Sequence, residues 1–143
     1  MNYLQRLKKA IFLDVAFYEE VEKDKKFTDQ AMMTVALVSI VQGFMTAGFA
    51  PIALVQGILG SLIRFVIWAF FIAFVGTRIL PEPETESNTG ELIRTLGFAY
   101  APGLIVIFKI SPIINIFVDP MVVILQLAAM TIAVRQALDF NST

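Results

Sequence analysis

The chain of 143 residues contains no cysteine and no histidine, and only one tryptophan. Without cysteine there is no disulfide, no thiolate nucleophile and no iron–sulfur ligand. Without histidine there is no imidazole general base, no histidine-ligated haem or metal and no charge switch near neutral pH. Charge is scarce as well. Charged residues make up 16% of the chain, against roughly a quarter in ordinary soluble domains. A net charge of -1 gives no pull toward nucleic acid. The one cluster of carboxylates, Glu82, Glu84 and Glu86, sits among prolines and small polar residues, where no rigid shell holds a catalytic group. These absences remove most metalloenzyme, electron-transfer and Ser-His-Asp chemistry. The expectation is a protein that is not an enzyme and uses no cofactor or metal.

What the chain does have is apolar length. Hydrophobic residues reach 57% and the mean hydropathy is +0.76. The charges collect before position 30 and around positions 78 to 94, leaving long uncharged runs between. That segregation predicts an all-α, polytopic membrane helical bundle of about four transmembrane helices. The length permits one domain. We divide it into an N-terminal amphipathic helix over 1–28 and a four-span transmembrane domain over 29–143.

The first residues do not read as a signal peptide, because Asp14 interrupts the apolar stretch and no small-residue cleavage site follows. Leu4, Leu7, Ile11, Val15 and Tyr18 recur at helical spacing, with Phe12 and Phe17 widening the stripe. Such a helix suits the membrane interface or docks on the bundle. Lys23 to Lys26 ends it, and Thr28 or Asp29 is placed to cap the next helix.

The first span covers about 31–49. The apolar block from 52 to 80 is too long for one crossing of about 30 Å of hydrocarbon, and Gly57 and Gly60 offer a break. This predicts a connector or re-entrant piece over 51–60 and a second span over 61–80. Arg64 then lies near a span end and snorkels to the headgroups as an anchor; the alternative is a buried Arg64–Asp119 pair. Residues 81–90 form a solvated acidic linker, and Asn88 with Glu91 resembles a capping box. The third span covers about 92–108, kinked near Pro102. An irregular turn comes next, over 109–118. Asp119 and Pro120 read as an N-cap and first helical residue of a fourth span over 120–138.

Small residues mark the helix-packing or partner-contact positions: Gly97, Ala101, Pro102 and Gly103 in the third span, Ala129 and Ala133 in the fourth. Ala69 and Ala73 repeat the spacing in the second span. Tyr100 lies too deep for an interfacial belt and is expected to hydrogen-bond inside the bundle. Arg94 and Arg135 are read as anchors at span ends, within reach of lipid phosphates or the carboxylates of Glu91 and Asp139. Basic residues concentrate on the side of the chain ends, against Lys109 and Arg64 opposite. The positive-inside rule therefore predicts a multipass protein of the cell (cytoplasmic) membrane with both termini in the cytoplasm.

Two strings carry a family resemblance: Arg94-Thr95-Leu96-Gly97-Phe98-Ala99-Tyr100-Ala101-Pro102-Gly103 and Val134-Arg135-Gln136-Ala137-Leu138-Asp139-Phe140. Together with the amphipathic start and paired spans, the chain resembles a Yip1-domain integral membrane protein of the short prokaryotic type. Eukaryotic relatives bind Rab GTPases and act in vesicle traffic and membrane shaping. This sequence shows neither their long N-terminal region nor their fifth span, so Rab binding is not carried over. The resemblance implies an integral membrane protein without an established activity.

The leading functional expectation is a non-enzymatic membrane scaffold or accessory subunit. It would act through helix–helix contacts with other membrane proteins or itself, in the lipid bilayer, with membrane shaping as a further role. The alternative is a small transporter or channel subunit, since Arg64 and the interruptions at Gly57, Gly60 and Pro102 are features that discontinuous transport helices share.

Overall fold

A computed structural model describes residues 1–75, 78 and 89–137. Its helices run α1 (Tyr3–Ile11), α2 (Val15–Lys23), a 3₁₀ turn (Lys25–Phe27), α3 (Thr28–Ala47), α4 (Pro51–Phe74), α5 (Thr89–Ala99), a 3₁₀ segment (Ala101–Phe108) and α6 (Pro112–Ala137). Among the described residues there is no strand. Four stretches are long and apolar enough to cross a membrane: Lys25–Ala47, Pro51–Phe74, Gly90–Phe108 and Pro112–Ala137. The protein is an all-α bundle of membrane type. Most of the acidic linker, Asn88 and Asp139 lie outside the described residues.

The N-terminal stripe forms two helices rather than one. Leu13 adopts a left-handed backbone with φ of 60°, and Asp14 caps α2 by accepting the Phe17 N–H at 3.1 Å. The break rotates the second half, so Phe17, Tyr18 and Val21 are fully buried while Leu4, Phe12 and Val15 stay exposed. Phe17 meets the Phe98 ring edge-on at 5.1 Å, and Tyr18 donates its hydroxyl to the Ala10 carbonyl, tying α2 to α1. Tyr3 and Thr34 share a hydrogen bond of 3.0 Å, fixing α1 on α3. The pair is docked on the bundle. No side chain caps α3; the Thr28 hydroxyl turns back to the Lys25 carbonyl instead.

The connector expected over 51–60 does not exist. α4 is one helix of 24 residues, opening with Pro51 at its first position, where its missing N–H costs nothing. At about 1.5 Å per residue it spans roughly 36 Å, which crosses the hydrocarbon with some tilt. An unbroken helix keeps every backbone polar group satisfied in lipid, which a re-entrant piece facing lipid would not. Gly57 serves contact rather than interruption: a Cβ there would stand 2.9 Å from the Gly43 Cα, so α3 and α4 touch backbone to backbone.

The irregular turn expected over 109–118 shrinks to 109–111. α6 begins at Pro112 and carries Pro120 inside it, with the Ser111 hydroxyl accepting from the Ile114 N–H. Asp119 is therefore no cap. Asp-Pro signals a helix start in water, but an interior proline is tolerated where surrounding helices re-satisfy the freed carbonyl. In the third span the kink at Pro102 is a change of helix type. The 3₁₀ run Ala101–Phe108 has 8 residues, about twice the ordinary length of such a run.

α5 and the 3₁₀ segment occupy the centre, flanked by α3 and α6, with α2 lying across α5 and α6. α4 stands outside, against α3.

Candidate functional site

Polar side chains within the apolar spans converge on Tyr100. It is buried because the turn from α5 into the 3₁₀ segment aims it at α3 and α4. Its hydroxyl lies 2.9 Å from the Ser61 Oγ and donates to the Gln42 Oε1 at 3.3 Å. Ser61 also donates to the same Gln42 oxygen at 2.8 Å. On the other side, the Gln126 Nε2 of α6 donates to the Tyr100 carbonyl at 3.3 Å. That carbonyl also accepts the Gly103 N–H at 3.0 Å, where the tighter 3₁₀ winding begins. The network thus joins α3, α4 and α6 at the point where the third span is irregular.

Beside the network is a cavity of about 220 Å³, lined in its polar part by Gln42, Thr46, Arg64, Lys109, Asp119 and Gln126. Met45, Val106, Val122 and Val123 complete the wall. Lys109 holds Asp119 at 2.9 Å, both partly exposed. Arg64 has no ion-pair or hydrogen-bond partner among the described residues. The cavity therefore carries one carboxylate against two cations. Asp119, Val122 and Gln126 present a helical stripe on α6 to it, and the ends of α3 and the 3₁₀ segment supply Thr46 and Lys109. It lies toward the side of the bundle where the α3–α4 turn sits.

This geometry corrects three site readings. Arg64 is not at a span end: with α4 continuous, it falls near the middle of the helix, exposed on its surface. Nor does it pair with Asp119, although both line one cavity; Lys109 takes that carboxylate. Arg94 is no interfacial anchor. It is 3% exposed, and its guanidinium donates to the backbone carbonyls of Val21 and Glu22, closing the last turn of α2. A sequence places Arg94 one turn into a span but does not show that another helix ends against it.

The small residues pack within the chain. Gly97 lies so close to α3 that a Cβ would stand 2.9 Å from the Ala31 Cβ and 3.1 Å from its carbonyl oxygen. A Cβ at Gly103 would meet Val38 and the amide nitrogens of Gln42 and Gln126 within 2.7 Å. Ala101, Pro102, Ala129 and Ala133 are buried inside the bundle. None of these six faces outward. Arg135 is exposed on the last turn of α6, and Asp139 lies outside the described residues. Gln42, Ser61, Lys109 and Gln126 were not among the expected site residues. Their signal was in the sequence all the same: polar residues recur singly in otherwise apolar runs.

Among the described residues no group of three or more carboxylates is placed to hold a metal. Shifted titrations lie outside the spans. The Phe17 N–H, with Lys9 in support, lowers the Asp14 carboxyl below its usual value. Burial pushes the Tyr18 phenol up. Lys23 lowers the exposed Glu19.

The chain matches no family model, no curated protein and no solved structure.

Proposed function

We propose that this chain is a non-enzymatic scaffold or accessory subunit of a membrane, working through helix–helix contacts with partner membrane proteins or a second copy. The observation that carries the reading is the one-sidedness of α4. Only 11% of the residues in its most apolar stretch are buried within the chain. It rests on α3, and it carries Arg64 unpaired near its centre. A cation at mid-span costs about 2.5–3.5 kcal/mol on insertion scales. A neighbour that covers α4 and meets Arg64 offsets that cost. The α4–α5 side adds an apolar groove of about 320 Å³ lined by Phe65, Ala69, Ala73, Leu92 and Leu96, a seat for a further helix.

The Yip1-domain resemblance and a cell-membrane location belong to the same proposal. So do cytoplasmic termini, which the excess of basic residues at the chain-end side supports. Photo-cross-linking from Val55 or Phe70 in native membranes tests the contact role. Adducts to one defined protein, or to a second copy, are expected. Adducts to lipid alone at both positions overturn it.

One observation favours a second reading, a small transporter or channel subunit. Irregular backbone at membrane depth is tolerated where it lines a cavity, and Val106 and Lys109 bring the 3₁₀ segment and its end to the polar cavity. Solute flux into liposomes holding the purified chain, lost in Arg64→Ala, would replace the scaffold reading with this one.

A further inference from the structure

We propose that the cavity between α3, α4, the 3₁₀ segment and α6 is a binding site for a phosphate group. Its donors outnumber its acceptors. The Gln42 oxygen is already taken by Ser61 and Tyr100, so its amide nitrogen is left to donate. The Gln126 nitrogen gives one N–H to the Tyr100 carbonyl and keeps a second. Both amide nitrogens come close to the backbone at Gly103, which has no side chain to hold them off. Lys109 neutralises Asp119, the one carboxylate of the lining, and leaves the Arg64 guanidinium as the uncompensated charge. A guanidinium beside amide donors in a walled cleft matches the geometry of phosphate oxygens. At about 220 Å³ the space has room for several waters of roughly 30 Å³ each.

Two sources deliver this chemistry, a phospholipid headgroup and free phosphate. The surroundings favour the lipid. Arg64 also borders a shallow apolar lane on α4 formed by Gly60, Ile63, Ile67 and Trp68. A headgroup at Arg64 therefore places its acyl chains along a surface that is apolar and open. Met45 and Thr46 in the last turn of α3 and Lys109 after the 3₁₀ segment line the cavity together with Arg64 from mid-helix, so a headgroup held there is drawn in from that end of the bundle, below the level of its neighbours. This proposal shares only Arg64 with the scaffold reading: it survives if no partner covers α4, and the two readings part on whether a phosphate or a partner's carboxylate meets that guanidinium.

Native mass spectrometry of the full chain tests it, after release from vesicles of phosphatidylglycerol mixed with diacylglycerol. Retention of phosphatidylglycerol without diacylglycerol is expected. Arg64→Gln and Lys109→Gln should each lower retention about ten-fold, Arg64→Lys less, and Arg135→Gln at the other end not at all. In a second arm inorganic phosphate is added. Failure to displace the lipid assigns the site to the headgroup, whereas displacement with a phosphate adduct assigns it to the free anion. Equal retention in wild type, Arg64→Gln and Lys109→Gln overturns the proposal. So does a carboxylate of a partner polypeptide cross-linked to Arg64 in its place. If Arg64→Gln fails to accumulate, Lys109→Gln and Arg64→Lys carry the same comparison.

Discussion

The second and third spans are both apolar and both long enough to cross a membrane, yet they are used in opposite ways. In the most apolar stretch of the third, Gly90–Phe108, 67% of the residues are buried, and in that of the second, Pro51–Phe74, 11% are. The second is the more apolar, with a mean hydropathy of 2.1 against 1.4, but lipid and protein interior are both apolar surroundings, so hydropathy alone does not say which span is enclosed. What separates them is the placement of small and polar residues. The third span sets Gly97, Ala99, Ala101 and Gly103 around its axis, so neighbours approach from every side. α4 has large side chains almost all round, and its contacts gather at Gly57, Ser61 and Phe65. One span is the axis of the bundle, and the other is laid against it.

The strongest way to break this contrast is to place a side chain at a glycine of each span. Gly97→Leu should prevent assembly. Its Cβ alone would meet the Ala31 backbone at 3.1 Å, and a helix backbone yields less than a side-chain tip. The cost should exceed the roughly 1–3 kcal/mol of ordinary overpacking. Nothing lies within 4 Å of a Cβ at Gly60, so Gly60→Ala should stabilise by up to about 1 kcal/mol through helix propensity. Thermal unfolding in detergent, followed by circular dichroism, measures both. Similar effects at the two glycines would erase the distinction between the spans.

Next in size is Arg94→Met. The central span holds the N-terminal helices through this side chain, whose donors reach two carbonyls at the end of α2. Hydrogen bonds to a charged group contribute about 1.5–3 kcal/mol each. A loss of about 3 kcal/mol is expected on that scale, read as faster amide exchange throughout α1 and α2. Exchange in α4 should not change, since no bond of Arg94 reaches it.

The same two spans show what was legible in the sequence. Uncharged runs of the right length announced membrane helices, and Tyr100, a lone polar ring deep in one of them, was rightly placed in a hydrogen-bonded interior. The division at Gly57 and Gly60 went wrong because rules for breaking helices come from water. In lipid a glycine is first a place for another backbone, and which backbone depends on Gly43, across a turn in the preceding helix. Asp119–Pro120 misled for the same reason. Arg94 misled differently: its partners are main-chain carbonyls, which no pattern of side chains records. The cavity escaped because Gln42, Lys109, Asp119 and Gln126 meet only after the helices and the 3₁₀ segment are packed.

A smaller effect separates the strap of α1 and α2 from α4 by pH. The Asp14 carboxylate accepts the Phe17 N–H, which holds its pKa below the ordinary 3.8. A depressed carboxyl contributes stability that is complete above its unfolded value and is lost as pH falls through the folded one. Protection of the amides in the first turn of α2, measured against their intrinsic exchange at each pH, should therefore fall as the medium is acidified below 3.8. Asp14→Ala should show at neutral pH the loss of about 1 kcal/mol typical of a missing N-cap, and no acid step. α4 holds no carboxylate and should show no acid response of this kind. An acid step in α4 of equal size would mean that the two regions unfold as one.

The smallest expected effect bears most on what α4 is for. Val55 and Phe70 are 55% and 71% exposed, on a helix whose outer face has no neighbour among the described residues. Val55→Ala and Phe70→Ala should change the stability of the isolated protein by no more than about 0.5 kcal/mol, because only lipid contact is lost. If α4 is a contact surface, the same substitutions should weaken the complex captured from native membranes while the melting temperature of the purified chain stays put. A helix that merely faces lipid would lose neither. A helix that belonged to the core would lose both, and the contrast between the two spans would then be a matter of degree.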